Sequence, residues 1–128
     1  MADYLLDSCI LIRHLRRHQP TSELLAYLGR EGSLAVASVT RIELIQGAQE
    51  RERVATVALL NSLTTYALDA EIADEAGDYV RVWAAKGFKL DIADAIIGAT
   101  AVHHRRVLVT CNRRHFPMPE IQIYPWPE

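Results

Sequence analysis

Short apolar runs alternate with longer amphipathic stretches along this chain, and the alternation predicts most of its architecture. Tyr4-Leu5-Leu6-Asp7-Ser8-Cys9-Ile10-Leu11-Ile12 is an apolar run with one carboxylate in its middle. A run this short predicts a buried strand that stops at Asp7. Ile10 to His18 then predicts a short helix halted by Pro20, since proline disfavours helix at the residue before it. Thr21 is the expected cap of a second helix, with Leu24, Leu25 and Leu28 in one stripe and Gly29 and Gly32 closing it. Leu34 to Ala37 predicts strand two. Ser38 to Gly47 opens a third helix in which Thr40-x-x-Glu43 has the spacing of a capping box.

Arg53 to Leu63 carries Val54, Val57, Ala58 and Leu60 at helical spacing, and Thr64 to Leu68 predicts a third strand. Asp69 should cap the longest helix, with Ile72, Ala76, Tyr79, Val80 and Trp83 on its core face and Gly87 just past its end. Leu90 to Ala101 predicts a mostly buried helix of small apolar residues, opened by Asp91 and Asp94. Val107 to Thr110 predicts a further buried strand, and Ile121 to Tyr124 alternates as a last edge strand would. Strands separated by one or two helices argue an α/β fold. Its centre should be a mostly parallel sheet of four to five strands, flanked by helices and joined by right-handed crossovers.

Length and composition narrow this further. The chain has 128 residues, half of them hydrophobic, which suits one domain over 1–128 that folds without staples. No apolar stretch is long enough to span a membrane and Met1-Ala2-Asp3 lacks the basic start of a secretory signal, so the expectation is a cytoplasmic protein without a membrane partner. Cys9 and Cys111 are too few and too far apart in sequence for a disulfide scaffold or a zinc site, and buried free thiols are expected. The net charge of -2 conceals segregation. Arg13 to His18, His103 to Arg106 and Arg113 to His115 are basic, whereas Asp69 to Asp78 is acidic. A basic surface beside an acidic pocket can hold phosphates, although each stretch read singly is equally an ordinary solvated face.

In a parallel sheet the carboxyl ends of all strands share one edge, where ligands of open α/β sheets bind. Asp7 ends strand one, Glu43 follows strand two, Asp94 opens the helix before strand four, and Thr110 and Asn112 end strand four. Three carboxylates brought together either hold protons at raised pKa values or share a hard cation. With no paired Cys or His ligands, Mg²⁺ or Mn²⁺ fits better than zinc. Helix capping competes for each acid: a capping box accounts for Glu43, Asp91 is a natural cap, and Asp94 would be its partner three residues on. His14 and His18, four apart, read as a solvated face rather than a chelate, and spacing assigns no role to His103, His104 or His115. Ser8 caps the first helix or contributes a hydroxyl near a metal.

Four segments in order resemble the PIN domain, and within it the VapC toxins of toxin-antitoxin pairs: Leu5 to Ile10, Ser38 to Gly47, Asp94 to Ala101, and Leu108 to Phe116. The resemblance covers essentially the whole chain. It implies a Mg²⁺- or Mn²⁺-dependent endoribonuclease, with Asp7, Glu43 and Asp94 at the family's most regular acidic positions. It also implies a homodimer inhibited by a VapB-like antitoxin, with Leu24, Leu25 and Leu28 as an apolar part of the antitoxin groove or as plain core. Relatives often carry a fourth Asp where this chain has Asn112, and His115 precedes Phe116. Asn112 or Asp91 would then complete the metal site, while Ser8, Thr110, Asn112, Arg113 and Arg114 would touch RNA. Rival readings are a PIN-like scaffold that binds RNA or a partner without cutting, a phosphatase of the haloacid dehalogenase type, and a receiver domain.

Overall fold

The computed structural model describes residues 3–126. Among these, β1 (Tyr4–Leu6), β2 (Leu34–Ala37), β3 (Thr64–Tyr66) and β4 (Val107–Val109) form one all-parallel sheet in the order β3-β2-β1-β4. Tyr4 pairs with Leu34 on one side and Val107 on the other, so β1 is a central strand. Leu5 faces one layer with Ala35, Ala37 and Leu108, while Tyr4, Leu6, Val36 and Val109 face the other. Successive side chains of a strand point to opposite faces, so a strand covered on both faces must be apolar throughout. Tyr4-Leu5-Leu6 meets that demand.

Among the described residues, six α-helices cover the two faces. α1 (Ser8–Leu15), α2 (Gln19–Glu31), α3 (Ser38–Gly47) and α4 (Arg53–Asn61) bring Ile10, Leu11, Leu24, Leu25, Leu28, Leu44 and Leu60 to one layer. α5 (Ala70–Ala85) and α6 (Ile92–His103) bring Ile72, Ala76, Tyr79, Ala95, Ile97 and Ala99 to the other. α6 is the deeper of the two, and its small residues let the C-terminal segment close over it. A Cβ on Gly98 would stand 2.7 Å from Ile121 Cδ1 and 2.9 Å from Met118 Cε. Asp69 caps α5 through Ile72 N–H at 2.9 Å, and Gly87, at φ +84°, turns the chain after it. No helix among the described residues is long and apolar enough to cross a membrane.

Several local expectations give way to tertiary contacts. α1 starts at Ser8, with Asp7 rather than Ser8 as its cap, and α2 starts at Gln19 with Pro20 in its first turn, where a missing N–H costs nothing. Thr21 is therefore no cap. Its buried hydroxyl pairs with His18 Nδ1 at 2.7 Å within the first turn of α2, while His14 Nδ1 pairs with Ser22 Oγ at 2.8 Å and so ties α1 to α2. α3 follows β2 directly without a side-chain cap, and Thr40, inside the helix, is buried with no hydrogen-bond partner for its hydroxyl among the described residues. The expected Thr40–Glu43 capping box is thus not formed. β3 is shorter than Thr64 to Leu68, and the expected last strand shrinks to one parallel bridge between Leu108 and Ile123, with Pro125, which has no N–H to donate, closely following.

The Leu24, Leu25 and Leu28 stripe is core rather than an open groove: Leu28 is 0% exposed, whereas its neighbour Tyr27 is 46% exposed. Leu28→Ala should lower unfolding free energy in urea by about 2–5 kcal/mol. Tyr27→Ala on the same helix should change it by only about 0.5 kcal/mol. Equal effects would return the stripe to the surface.

Candidate active site

Asp7 stands at the carboxyl end of the central strand, 4% exposed. Its backbone N–H still donates to Val109 O at 3.0 Å, which fixes it against β4. Ser8 N–H donates to its Oδ1 at 2.8 Å and the Thr110 hydroxyl donates to its Oδ2 at 2.7 Å. As the cap of α1, the carboxylate also faces the positive end of that helix. Burial nevertheless wins and raises the Asp7 pKa, against the pull of Thr110, Ser8 and His115.

The same edge gathers the other predicted carboxylates. Glu43 enters from α3, and its pKa is raised by burial and then by the charge of Asp7, with the Ser8 hydroxyl opposing. Its Oε1 is buried and has no hydrogen-bond partner among the described residues. Asp94, in the first turn of α6, is pushed up to about 6 by burial and then by Asp7, with Asp91 and Glu43 adding to the rise. Asp91 is exposed and caps α6 through Ala93 N–H at 2.9 Å and Asp94 N–H at 3.3 Å. It therefore combines a structural role with a charge at the rim.

Thr110 links this cluster to the loop after β4. Its hydroxyl donates to Asp7 and accepts from Asn112 N–H at 2.9 Å, so one side chain orients a carboxylate and a turn at once. Asn112, Arg113 and Arg114 are exposed and line a neighbouring cavity of about 260 Å³. Cys9 and Cys111 are half-buried and form no disulfide; Cys9 Sγ lies 3.8 Å from both Asp7 Oδ2 and Thr110 Oγ1, and Cys111 N–H donates to it at 3.0 Å. The contact with Cys111, together with burial and the Asp7 charge, pushes the Cys9 thiol up and keeps it protonated.

His115, to which spacing assigns no role, belongs to the site: its Nδ1 lies 3.3 Å from Asp94 Oδ2, with the ring half exposed over the cluster. The available signal is positional, because buried Phe116 anchors the turn and directs the residue before it. Trp126, which nothing in the sequence pattern marks as functional, borders the basic cavity.

The donor set fits a hard divalent cation. All three gathered acids offer oxygen, Glu43 keeps a buried acceptor unsatisfied, and their mutual repulsion is what a cation would relieve. Among the described residues no three His, Cys, Asp or Glu side chains stand close enough to enclose an ion. The carboxylates are assembled but not closed around a centre.

An all-parallel α/β sheet with converging carboxylates at its carboxyl edge defines an acidic-site class of protein. The PIN domain model matches residues 4–120, and the chain belongs to that family, within it to the VapC type. Ribonuclease VapC19 of Mycobacterium tuberculosis is 33% identical over 120 residues, spanning 92% of this chain and 96% of its own. Ribonuclease VapC10 of the same organism is 35% identical over 116 residues, spanning 91% and 87%. Among solved structures, a chain of DNA-bound VapBC from Salmonella typhimurium superimposes with a TM-score of 0.83 at 25% identity, over 97% of this chain and 98% of its own.

Raised carboxyl pKa values fix the sign of a pH effect. A group whose folded pKa lies above its unfolded value holds its proton longer in the folded state, so its stabilising contribution is present at low pH and lost as pH rises. For Asp94 the window runs from the ordinary 3.8 to about 6, and the loss is on the order of 3 kcal/mol. In chelator, melting temperature should fall across that window, and Asp94→Asn should flatten the fall. An unchanged profile in the variant would remove Asp94 from the cluster.

Proposed function

We propose that this chain is a divalent-metal-dependent endoribonuclease and the toxin of a toxin-antitoxin pair, working in the cytoplasm where its RNA lies. The observation that carries the reading is the gathering of three carboxylates with raised pKa values, Asp7 with Glu43 and Asp94, in a chain of the VapC type. Asp7, Glu43 and Asp94 would hold Mg²⁺ or Mn²⁺, with Asp91 adding negative charge at the rim. When bound, the ion supplies Lewis acidity toward a phosphodiester and lowers the pKa of adjacent water.

The protein's own groups orient and exclude. Ser8 N–H and the Thr110 hydroxyl occupy two of the acceptor sites of Asp7 and lock its plane, so the carboxylate needs no reorganisation when charge develops. The Ser8 hydroxyl acts on Glu43, whose pKa it pulls down against burial, and would supply a polar contact to a bound phosphate. Arg113 and Arg114 neutralise flanking RNA phosphates, and the exposed amide of Asn112 contributes a further contact. Phosphate contacts of this kind position a nucleic acid without reading its sequence.

A VapB-like antitoxin is the partner this reading requires, and VapBC is the assembly named for the Salmonella neighbour. A groove of about 420 Å³ supports its docking: Ile12, Leu15, Leu44 and Ala55 give it apolar lining, and Glu43 and Glu52 line it together with Arg16 and Arg51. An apolar segment that carries both an acidic and a basic side chain fits that pattern. Leu68 and Ile92, 45% and 69% exposed beside a shallow apolar groove between α5 and α6, support a homodimer.

The decisive comparison is cleavage of diverse RNAs by the unmodified protein and by Asp7→Asn, with Mg²⁺ or Mn²⁺ and with chelator. Asn keeps the shape and removes the charge. Activity should drop at least about 100-fold, the scale of losing one preorganised electrostatic group, and calorimetry should show weakened metal binding. Absence of RNA cleavage by the unmodified protein with either metal, with no heat of metal binding, would leave a non-catalytic scaffold. Arg113→Ala and Arg114→Ala should each raise KM and flatten the salt dependence of RNA binding by about 0.7 for each phosphate no longer neutralised.

A further inference from the structure

The cavity beside the acidic cluster combines features that phosphate binding alone does not call for. Thr110, Cys111, Asn112, Arg113, Arg114, His115 and Trp126 line it, and among the described residues no Asp or Glu does. Thr110 is shared with the cluster, since the hydroxyl of this cavity residue reaches Asp7 at 2.7 Å. The indole of Trp126 is half-buried and packs on the layer formed by Tyr4, Leu6 and Val109. Its position is fixed through the backbone: Trp126 N–H donates to Tyr124 O, and Tyr124 N–H donates to Leu108 O, both at 2.8 Å. Tyr124 in turn meets Tyr4 edge-on, with ring centroids 6.0 Å apart. A half-buried indole that lines a cavity together with two arginines offers a ring on which a base can stack.

Size decides what stacks there. The cavity measures about 260 Å³, below the roughly 300–1,000 Å³ of sites for drug-sized ligands. It suits one planar base rather than a folded ligand or a paired duplex. We propose that this cavity takes one unpaired base of the RNA, stacked on Trp126, while Arg113 and Arg114 hold its phosphates and Asn112 meets its polar edge. The proposal rests on the ribonuclease reading and deepens it by naming a base-stacking subsite, built on Trp126, next to the cut phosphodiester. Bases inside a duplex cannot reach such a surface, whereas splayed bases stack on aromatic side chains with little sequence preference.

The chain has two tryptophans, so Trp83→Phe leaves Trp126 as the sole indole reporter. In an Asp7→Asn background, which suppresses turnover, that protein is titrated with short single-stranded oligoribonucleotides and with the same sequences as duplexes, in Mg²⁺. Single strands should quench Trp126 emission and duplexes should not. Moving an abasic site along the strand should find one position that loses both the quench and about 5- to 150-fold in affinity. Trp126→Ala should lose a similar factor, and Trp126→Phe should keep most of the binding. The phenylalanine variant and the abasic scan keep the proposal falsifiable if the alanine variant misfolds. RNA that binds without quenching and tolerates every abasic position would overturn the base subsite, and so would RNA that binds equally well as duplex. Metal-dependent cleavage by the unmodified protein, measured alongside, separates that failure from loss of the ribonuclease reading itself.

Discussion

A carboxylate held in a nearly water-free position at the end of the central strand is the constraint on which the rest of the site depends. Burying an ionised group is costly unless hydrogen bonds compensate it. Asp7 obtains its two strong bonds from its own chain neighbour Ser8 and from Thr110, 103 positions away. The second bond exists only because β1 and β4 are adjacent and in register, Leu6 against Val109. The sheet order is therefore a condition of the chemistry as well as of the core.

The same edge concentrates negative charge that the fold does not neutralise. Glu43 and Asp94 each carry raised pKa values from burial and from Asp7, and their relief within the chain is limited to Ser8 and His115. An arrangement that opposes its own ionisation gives up folding stability for readiness toward a cation, a trade recurrent at functional sites. His115, half exposed on a short turn, is the opposing group, its Nδ1 3.3 Å from Asp94 Oδ2.

A division of labour follows from the geometry of the β4 end. Thr110 faces the carboxylates, and the residues after it turn outward with two guanidiniums and an amide. Negative and positive surfaces thus meet within one loop, which explains how a chain of net charge -2 can present a basic flank to a polyanion. Total charge reports solubility and long-range steering, whereas the local juxtaposition determines where a phosphate rests.

The sequence by itself determined the α/β class, the four main strands, the caps at Asp69 and Asp91, and the candidate carboxylates. These follow from periodicity and from the apolar demand of a strand buried on both faces, which are local in the chain. Tertiary structure alone decided the capping question at Glu43, because α3 leaves β2 without room for a box and so frees that side chain. It also decided the fate of Leu24, Leu25 and Leu28, since one apolar stripe serves core and groove equally until its neighbours are known. The last predicted strand shortened to a bridge beside Pro125, and Thr21 lost its cap role to a contact with His18. His115 and Trp126 joined the site for a reason no spacing rule carries: their neighbours there, Asp94 and the loop after β4, are brought to them by packing across the sheet rather than by position in the chain.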